Sequence, residues 1–416
     1  RVGGLSDTVD DGLTGFTFSP VEFDPFKQAL NLALDAFIKG KLTPIMANGL
    51  TKDYSWDKSA QKYIKLYEKA LNYKFGIARG VGGEIRSNAL GEWTILSTLR
   101  KSRPDETGSL AGQRARSEEQ RVRTHSSLEE VENCPFEEGH EAMSPGEIFR
   151  TGNGDKDHPG WLTRVVPNKY PILPAHEVIV HSTEHDKEIE LFTKEQMDNL
   201  VWTYLSRYRH YENFGYTHIF CNRGKEAAAS LNHPHSQLIV LDEMAHSTVE
   251  ALKSAGDYYG RYKLCPYCDL IQREINGPRL VWQNDSFVIL TPFSSDWPYE
   301  LTLLPKTHRK SFGNISEKET KDFASALQKA IIALSLEINY LSYNYWIHSI
   351  PDLLGFDKTS LYYHWHLDLV PRVKILGGVE LGLKLMIDDR ISPEEAAEKL
   401  RKHLKKKNPR LNGDLS

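Results

Sequence analysis

Two segments of the chain place histidines at alternate positions next to an apolar run, and this pattern most constrains the fold. The first lies within residues 231–240 and the second within residues 362–372. Because successive side chains of a β-strand point to opposite faces, His233, His235 and Gln237 would share one face of a strand. That face suits catalysis or metal binding, although a histidine pair can also be a satisfied polar pair in a core. The repeated pattern predicts an internal duplication.

Predicted strands and helices alternate around both segments. Runs rich in apolar and β-branched residues predict strands at residues 177–180, 217–220 and 300–305. Capping residues followed three positions later by Gln or Glu predict helices that start after Thr193 and Ser316. The sequence therefore predicts an α+β fold of two similar halves, each with an antiparallel sheet and flanking helices.

Length and composition are those of a globular protein of two or three domains. With 416 residues and a formal net charge of −4, the chain gives no reason to expect a nucleic-acid partner. It has no apolar run long enough to cross a bilayer and no signal-peptide pattern at its start, so we expect no membrane association. The cysteines are too few and too unevenly spaced for a disulfide scaffold, which favours a reducing, cytoplasmic compartment. They are Cys134, Cys221, Cys265 and Cys268.

A Cys-x-x-Cys motif in the second half indicates a metal site. Cys265 and Cys268 have the spacing that zinc sites use, and His308 and His364 further along can complete a tetrahedral Cys₂His₂ set. A redox-active cysteine pair is the alternative, but no strand and helix order of the thioredoxin type surrounds the motif. We therefore predict a structural zinc ion in this half.

The first half contains a similar set in which a carboxylate replaces one sulfur. It consists of Cys134, Glu137, His185 and His233. Cys-x-x-Glu is a weaker metal signal than Cys-x-x-Cys, and His140 close to Glu137 is a further candidate ligand. The chain is thus expected to bind one or two zinc ions.

If a metal holds His233, His235 is left free on the same face. A neutral imidazole attacks phosphoryl groups well and leaves well once phosphorylated, so it divides one difficult transfer into two easier steps. Gln237 stands where a third histidine would donate a proton, whereas an amide only hydrogen-bonds a nonbridging phosphoryl oxygen. Such a site suits a leaving group that needs little help, such as a sugar phosphate.

A pair of arginines earlier in the chain suggests a second contact with phosphate. Arg100 and Arg103 stand three positions apart, just before Pro104. The planar guanidinium presents a fork of donors that suits a phosphate or a nucleotide. Taken alone, such a pair can equally be surface charge.

Several of these motifs, in this order, resemble the galactose-1-phosphate uridylyltransferase branch of the histidine-triad superfamily, in which glutamine replaces the last histidine of the triad. The resemblance covers residues 84 to about 405. The segments that carry it are Gly91-Glu92-Trp93, Arg100 and Arg103 with Pro104, Cys134-Pro135-Phe136, residues 164–171, His233-Pro234-His235-Ser236-Gln237, Trp297-Pro298-Tyr299-Glu300, His364-Trp365-His366, residues 374–380 and residues 393–397.

The resemblance implies a ping-pong nucleotidyl transfer. In it His235 is the nucleophile that forms a nucleotidyl-histidine intermediate, and Gln237 holds a phosphoryl oxygen. UDP-glucose would give uridylyl-His235 and glucose 1-phosphate, and galactose 1-phosphate, or another hexose 1-phosphate, would then take the uridylyl group. Further residues that the resemblance implies in substrate binding are Ser230 at the phosphoryl group, Arg100, Arg103, Asn168 and Asn222 at the nucleotide sugar, and Lys374 and Glu380 at the hexose.

The chain departs from the family pattern at two places. Glu137 stands where the family commonly has cysteine, and the glutamine that often binds the hexose is not evident in residues 383–387. The nearest rival is an ADP-glucose phosphorylase-like enzyme, in which phosphate accepts an adenylyl group. A rival of another class is a zinc-binding scaffold with an idle His235. The family commonly forms dimers whose sites draw on both chains, so a homodimer is expected.

Residues 1–75 carry a second resemblance. Residues 3–16 and residues 53–57 resemble the C-terminal end of a starch or glycogen synthase-type glycosyltransferase, that is, a helical piece of a GT-B type α/β domain. The catalytic part would lie before Arg1, so glycosyl transfer by this piece alone is not expected. The predicted domains are residues 1–75, a glycine-rich linker at 76–83, a first uridylyltransferase half at 84–250 and a second half at 251–410.

Overall fold

The structure of the chain is a computed structural model. The chain divides into two compact units, residues 1–78 and 79–416. Arg100 and Arg103 lie outside the described residues. The described residues are 9–50, 84–87, 93–97, 128–351, 357–383, 385–387 and 390–405.

The described part of the first unit is helical. Helix α1 spans Phe23–Ile38 and helix α2 spans Leu42–Leu50. Ala29 and Ala36 are the buried residues of α1, whereas most of its large apolar side chains are exposed. Within the described residues, α1 therefore has no partner that covers its apolar surface.

The second unit is built around antiparallel strands. Their bounds are β1 (Glu84–Ser87), β2 (Trp93–Leu96), β3 (Phe149–Gly152), β4 (Trp161–Pro167), β5 (His176–Val180), β6 (Tyr216–Arg223), β7 (His235–Leu241), β8 (Leu280–Gln283), β9 (Phe287–Leu290), β10 (Leu301–Pro305), β11 (Tyr343–His348) and β12 (His366–Pro371). Strands β1 and β2 pair with each other. The other strands form one ten-stranded sheet in the order β3-β4-β5-β7-β6-β11-β12-β10-β9-β8.

Helices connect these strands. Their bounds are α3 (Leu128–Glu132), α4 (Lys194–Tyr211), α5 (His246–Tyr262), α6 (Pro266–Glu274), α7 (Glu317–Glu337), α8 (Gly378–Leu383) and α9 (Pro393–Lys405), with 3₁₀ turns at Glu141–Met143, Ile189–Leu191, Lys225–Ala227, Phe312–Asn314 and Asp357–Leu361. No helix in the described part of the chain has the length and apolar character needed to cross a membrane.

The two long helices begin at the predicted caps. Ser316 and Glu319 form a reciprocal capping box at the start of α7. At the start of α4, the Thr193 side chain accepts the N–H of Gln196, but the reverse bond is not made. The Gln196 amide donates instead to the carbonyl of Leu162 at 2.8 Å, which ties α4 to strand β4.

The strand order confirms two similar halves. From either edge of the sheet to its centre, each half presents its first, second, third, fifth and fourth strands. Helices α4 and α7 take equivalent places, each between the third and fourth strands of its half. The halves meet where Asn222 of β6 pairs with Asn344 of β11, so their sheets are continuous. The predicted division at residues 250–251 falls inside α5.

The two faces of the sheet differ in what covers them. The hydroxyl of Tyr345 lies 2.7 Å from the hydroxyl of Tyr204 in α4, so α4 covers the face to which Tyr345 points. Cys221 pairs with Tyr345 on one side and with Ser236 on the other, so these three side chains share that face. His235 and Gln237 flank Ser236 and therefore lie on the opposite face.

Candidate active site

The candidate nucleophile is the first residue of strand β7. The Nδ1 atom of His235 lies 2.8 Å from the carbonyl oxygen of His233. Because a carbonyl only accepts, Nδ1 carries the proton, and Nε2 is left as the basic and nucleophilic atom of the ring. The side chain is buried, and the ring of Phe136 lies 5.4 Å away between centroids. The local structure thus fixes one reactive nitrogen.

A histidine that sequence analysis did not identify orients Gln237. The N–H of Ile172 donates to Nδ1 of His176 at 3.1 Å, which places the ring proton on Nε2. That nitrogen donates to Oε1 of Gln237 at 2.8 Å, and Nδ2 of Asn168 lies 3.5 Å from the same oxygen. Since the amide oxygen is engaged, the N–H₂ group of Gln237 is the part left to meet a phosphoryl oxygen.

The contribution of His176 depends on strand pairing. His176 begins β5, one residue ahead of the predicted strand, and β5 pairs with β7 in a register that brings His176 beside Gln237. Nothing in the sequence indicates which strand β5 pairs with. This residue therefore becomes visible only in the folded sheet.

The predicted ligands of the first half converge. Donor atoms of Cys134, Glu137, His185 and His233 all lie within 4.8 Å of one another. Oε1 of Glu137 is 2.5 Å from Nδ1 of His185 and 2.9 Å from Nδ1 of His233. Burial raises the pKa of Glu137, but its close contacts with His233 and His185 outweigh this effect and lower its pKa below the ordinary value.

The tautomer of His233 provides a test of whether this set fits a metal. Nε2 of His233 lies 2.7 Å from the carbonyl oxygen of Ser182, so Nε2 carries a proton and donates it. In a neutral ring, Nδ1 then presents a lone pair to the Glu137 carboxylate. Two acceptors facing each other need a proton or a metal ion between them, and this donor set suits zinc. His233 itself lies in the turn before β7, not on the strand as predicted.

The ligand set of the second half has the same form. Donor atoms of Cys265, Cys268, His308 and His364 lie within 4.8 Å of one another. Sγ of Cys268 is 3.2 Å from Nδ1 of His308 and 3.6 Å from Nδ1 of His364, and the Nε2 of each histidine donates to a backbone carbonyl at 2.7 Å. A hydrogen bond from Cys268, followed by those from the two histidines, lowers the pKa of the Cys265 thiol. These atoms also fit a tetrahedral zinc ion.

The second half differs from the first at the position two residues after the histidine that begins the strand. His366 and Asp368 occupy the places on β12 that His235 and Gln237 occupy on β7. Burial raises the pKa of Asp368, but a hydrogen bond from His348 at 3.0 Å and nearby histidine charge lower it to about 2. A carboxylate repels a phosphoryl group where the amide of the first half would bind one. The candidate site for nucleotidyl transfer therefore lies in the first half.

The remaining predicted substrate-binding residues are spread over three segments. Asn222 lies on β6, where its Oδ1 accepts from Nδ2 of Asn344 at 2.8 Å. Ser230 is half-buried in the loop between β6 and β7. Lys374 donates to a carbonyl of its own segment at 2.9 Å, and Glu380 accepts an N–H at the start of its own helix at 3.0 Å. Neither of these two hydrogen bonds connects Lys374 or Glu380 to His235.

Known proteins match both the sequence and this fold. Residues 253–411 match the family model described as galactose-1-phosphate uridyl transferase, C-terminal domain. ADP-glucose phosphorylase of Arabidopsis thaliana is 25% identical over 335 residues, which cover 74% of this chain and 89% of that protein. Galactose-1-phosphate uridylyltransferase of Thermotoga maritima is 28% identical over 234 residues, which cover 54% of this chain and 73% of that protein.

A solved structure shares the fold. The crystal structure of an ADP-glucose phosphorylase from Arabidopsis thaliana with bound ADP-glucose aligns with a TM-score of 0.60 at 24% identity, covering 77% of this chain and 99% of that one. Residues 253–411 of this chain thus match the C-terminal domain of the galactose-1-phosphate uridylyltransferase family, and the chain is similar in sequence to a member of that family.

Proposed function

We propose that this protein is a nucleotidyltransferase that acts on sugar phosphates through a nucleotidyl-histidine intermediate on His235. The observation that carries the proposal is the defined tautomer of His235, whose Nδ1 is bonded to the His233 carbonyl so that Nε2 bears the nucleophilic lone pair. Gln237, with its amide oxygen held by His176, offers N–H donors beside that nitrogen. The similarity to proteins named ADP-glucose phosphorylase and galactose-1-phosphate uridylyltransferase supports the proposal.

The proposed reaction has two steps. Nε2 of His235 attacks the α-phosphorus of a nucleotide sugar, a P–N bond forms, and the P–O bond to the β-phosphate breaks, releasing hexose 1-phosphate. The phosphate oxygen of a second hexose 1-phosphate then attacks the same phosphorus and the P–N bond breaks. The leaving group is an anion that needs no added proton, which agrees with an amide at position 237 where an acid is not required.

The proposed donor is UDP-glucose and the proposed acceptor is galactose 1-phosphate or another hexose 1-phosphate. Arg100, Arg103, Asn168, Asn222 and Ser230 are proposed to bind the nucleotide sugar. Lys374 and Glu380 are proposed to bind the hexose.

A second candidate is adenylyl transfer from ADP-glucose to phosphate. The match to the Arabidopsis ADP-glucose phosphorylase covers 89% of that protein, compared with 73% for the uridylyltransferase of Thermotoga maritima, and this larger coverage favours the candidate. The chemistry at His235 is the same in both reactions. What differs is the base of the donor and the group that accepts the nucleotidyl.

We propose that zinc binds in both halves, at Cys134, Glu137, His185 and His233 and at Cys265, Cys268, His308 and His364. When bound, zinc supplies structural rigidity at its ligands. In the first half this rigidity extends to His235, because the backbone carbonyl of the ligand His233 accepts the Nδ1 proton of His235 and so sets its tautomer. The hydrogen bond from Nε2 of His233 to the carbonyl of Ser182 fixes the orientation of the His233 ring.

A homodimer is proposed on the basis of an exposed apolar segment. Residues 375–387 include Ile375, Leu381, Leu383 and Leu385, each exposed over more than half of its side-chain surface. Contiguous exposed aliphatic residues favour burial against a partner. Glu380 lies in this segment and Lys374 directly precedes it, so a dimer would place both at a shared interface.

The first unit and the cellular location complete the proposal. Residues 1–75 are proposed to be the end of a starch or glycogen synthase-type glycosyltransferase, joined by residues 76–83 to the two halves at 84–250 and 251–410. A cytoplasmic location is proposed because the four cysteines are too few and too unevenly spaced for a disulfide scaffold.

The test is covalent labelling. The protein is incubated with UDP-glucose and, separately, with ADP-glucose, each radiolabelled at the α-phosphate, and then treated with acid. Acid-labile label from UDP-glucose supports uridylyl transfer, and label from ADP-glucose alone supports the second candidate. Zinc content with no label from either donor supports a scaffold, and equal label on His235→Asn contradicts the covalent mechanism.

A further inference from the structure

The loop between β6 and β7 leads directly into the candidate active site. The loop runs over residues 224–234 and includes both Ser230 and His233. Its backbone is unusual at two positions, since Gly224 has φ 83° and Ala228 has φ 61°. Both values lie in the left-handed region, which costs energy for alanine and so has to be held by surrounding contacts.

Those contacts come from strand β11 and from the residue just before it, which belong to the other half of the unit. Nδ2 of Asn344 donates to the carbonyl of Ala227 at 3.0 Å, and Oγ of Ser342 donates to Oε2 of Glu226 at 2.6 Å. A Cβ atom at Gly224 would lie 2.2 Å from Oγ of Ser342, so only glycine permits the loop to approach this closely. The second half therefore supports the loop that leads to the histidines of the first.

Asn344 makes a second contact that determines which way Asn222 points. Its Nδ2 also donates to Oδ1 of Asn222, at 2.8 Å. Both hydrogens of the Asn344 amide are thus used, one on the loop and one on Asn222. Asn222 lies on the same face of the sheet as Gln237, since Phe220, two residues before it, pairs with Gln237. With its oxygen engaged, Asn222 has its N–H₂ group available to an anion.

We propose that Asn344 is a positioning residue for nucleotidyl transfer at His235. It holds the loop that carries Ser230, and it turns the Asn222 amide so that its donors face the phosphoryl group of the nucleotide. This inference rests on the proposed function. In this arrangement the second half contributes a side chain to the chemistry of the first half, although its own strand β12 carries Asp368 where β7 carries Gln237.

Two variants separate the contacts. Asn344→Ala removes both hydrogen bonds. Asn344→Asp keeps the shape but cannot donate, so it loses the Ala227 contact and attracts the N–H₂ group of Asn222, which turns the amide oxygen towards the phosphoryl group. Loss of one or two hydrogen bonds predicts about a tenfold slower nucleotidylation of His235 for Asn344→Ala, and a larger loss for Asn344→Asp.

Gln328 offers a matched control. Its Nε2 donates to two backbone carbonyls of the other half, those of Ile189 and Phe192, at 3.0 and 2.7 Å. Gln328→Ala therefore removes the same number of amide-donated hydrogen bonds between the halves as Asn344→Ala, away from His235. We expect it to lower the melting temperature about as much as Asn344→Ala while its labelling rate stays at the wild-type value.

The experiment combines single-turnover labelling with amide hydrogen exchange of residues 224–232. Compared with the wild type, both Asn344 variants are expected to label more slowly at saturating donor and to exchange the amides of residues 224–232 faster. Gln328→Ala is expected to match the wild type in both measurements. Wild-type labelling rates in both Asn344 variants, or equal slowing in Gln328→Ala, overturn the inference. Absence of label in the wild type contradicts the proposed function instead. In that case exchange alone tests the loop, and unchanged exchange in Asn344→Ala refutes its support by Asn344.

Discussion

Replacing His176 tests how Gln237 is oriented. His176 is 3% exposed, accepts the N–H of Ile172 and donates to Gln237 at 2.8 Å. In His176→Phe an aromatic ring of similar size fills the place, but the hydrogen bonds to Ile172 and Gln237 are lost, and Gln237 can turn its oxygen towards the phosphoryl group. A buried hydrogen bond of this kind is worth about 1.5 kcal/mol, and we therefore expect nucleotidylation of His235 to slow roughly tenfold.

The assay is the rate of label transfer to His235 at saturating nucleotide sugar, measured in a single turnover. His176→Gln serves as the conservative variant, because its amide N–H₂ group can still donate to Gln237. We expect it to recover part of the rate that His176→Phe loses. A His176→Phe protein that melts as a folded protein and labels at the wild-type rate would refute the reasoning about Gln237.

Four further predictions concern the metals, pH and assembly. Glu137→Cys converts the first centre to Cys₂His₂, and we expect at least a tenfold slower release of zinc to a chelator; release at the wild-type rate would contradict a ligand role for Glu137. Cys268→Ser should remove about one zinc ion per chain and lower the melting temperature, by elemental analysis and calorimetry, and unchanged zinc would show that this thiol is not a ligand. Burial and then Asp368 raise the pKa of Glu300 to about 7, so its stabilising contribution is complete below its ordinary pKa of 4.5 and is lost as pH rises to 7. Relative to Glu300→Gln, the free energy of unfolding should therefore fall by of the order of 2 kcal/mol over that range in denaturant titrations, and parallel pH profiles would refute this. Leu381→Lys should turn a dimer into a monomer in sedimentation experiments, whereas a wild-type monomer would count against the proposed interface.

Much of the site could be predicted from local sequence because its chemistry depends on short spacings. The Cys-x-x-Cys and Cys-x-x-Glu motifs and the two His-x-His segments each place their donors within a few residues, and the structure brings both predicted ligand sets together. The capping box at Ser316 was predictable for the same reason, since Ser316 and Glu319 interact along one turn of helix.

The contributions of His176 and Asn344 could not be predicted, because they depend on which strands are neighbours. His176 contacts Gln237 across 61 positions of sequence, and Asn344 contacts Asn222 across 122. No local pattern states that β5 pairs with β7 or that β6 pairs with β11. The duplication was visible in the repeated His-x-His pattern, but the fusion of both halves into one sheet depends on that central pairing.

The most direct test of the account is to identify the residue that carries the nucleotidyl group. After brief incubation with a nucleotide sugar labelled at the α-phosphate, the protein is digested under alkaline conditions and the labelled peptide is sequenced by mass spectrometry. The account predicts an acid-labile label on His235, in the peptide that contains Gln237, and none on His366. Label on another residue, or a labelled peptide that persists in His235→Asn, would contradict it.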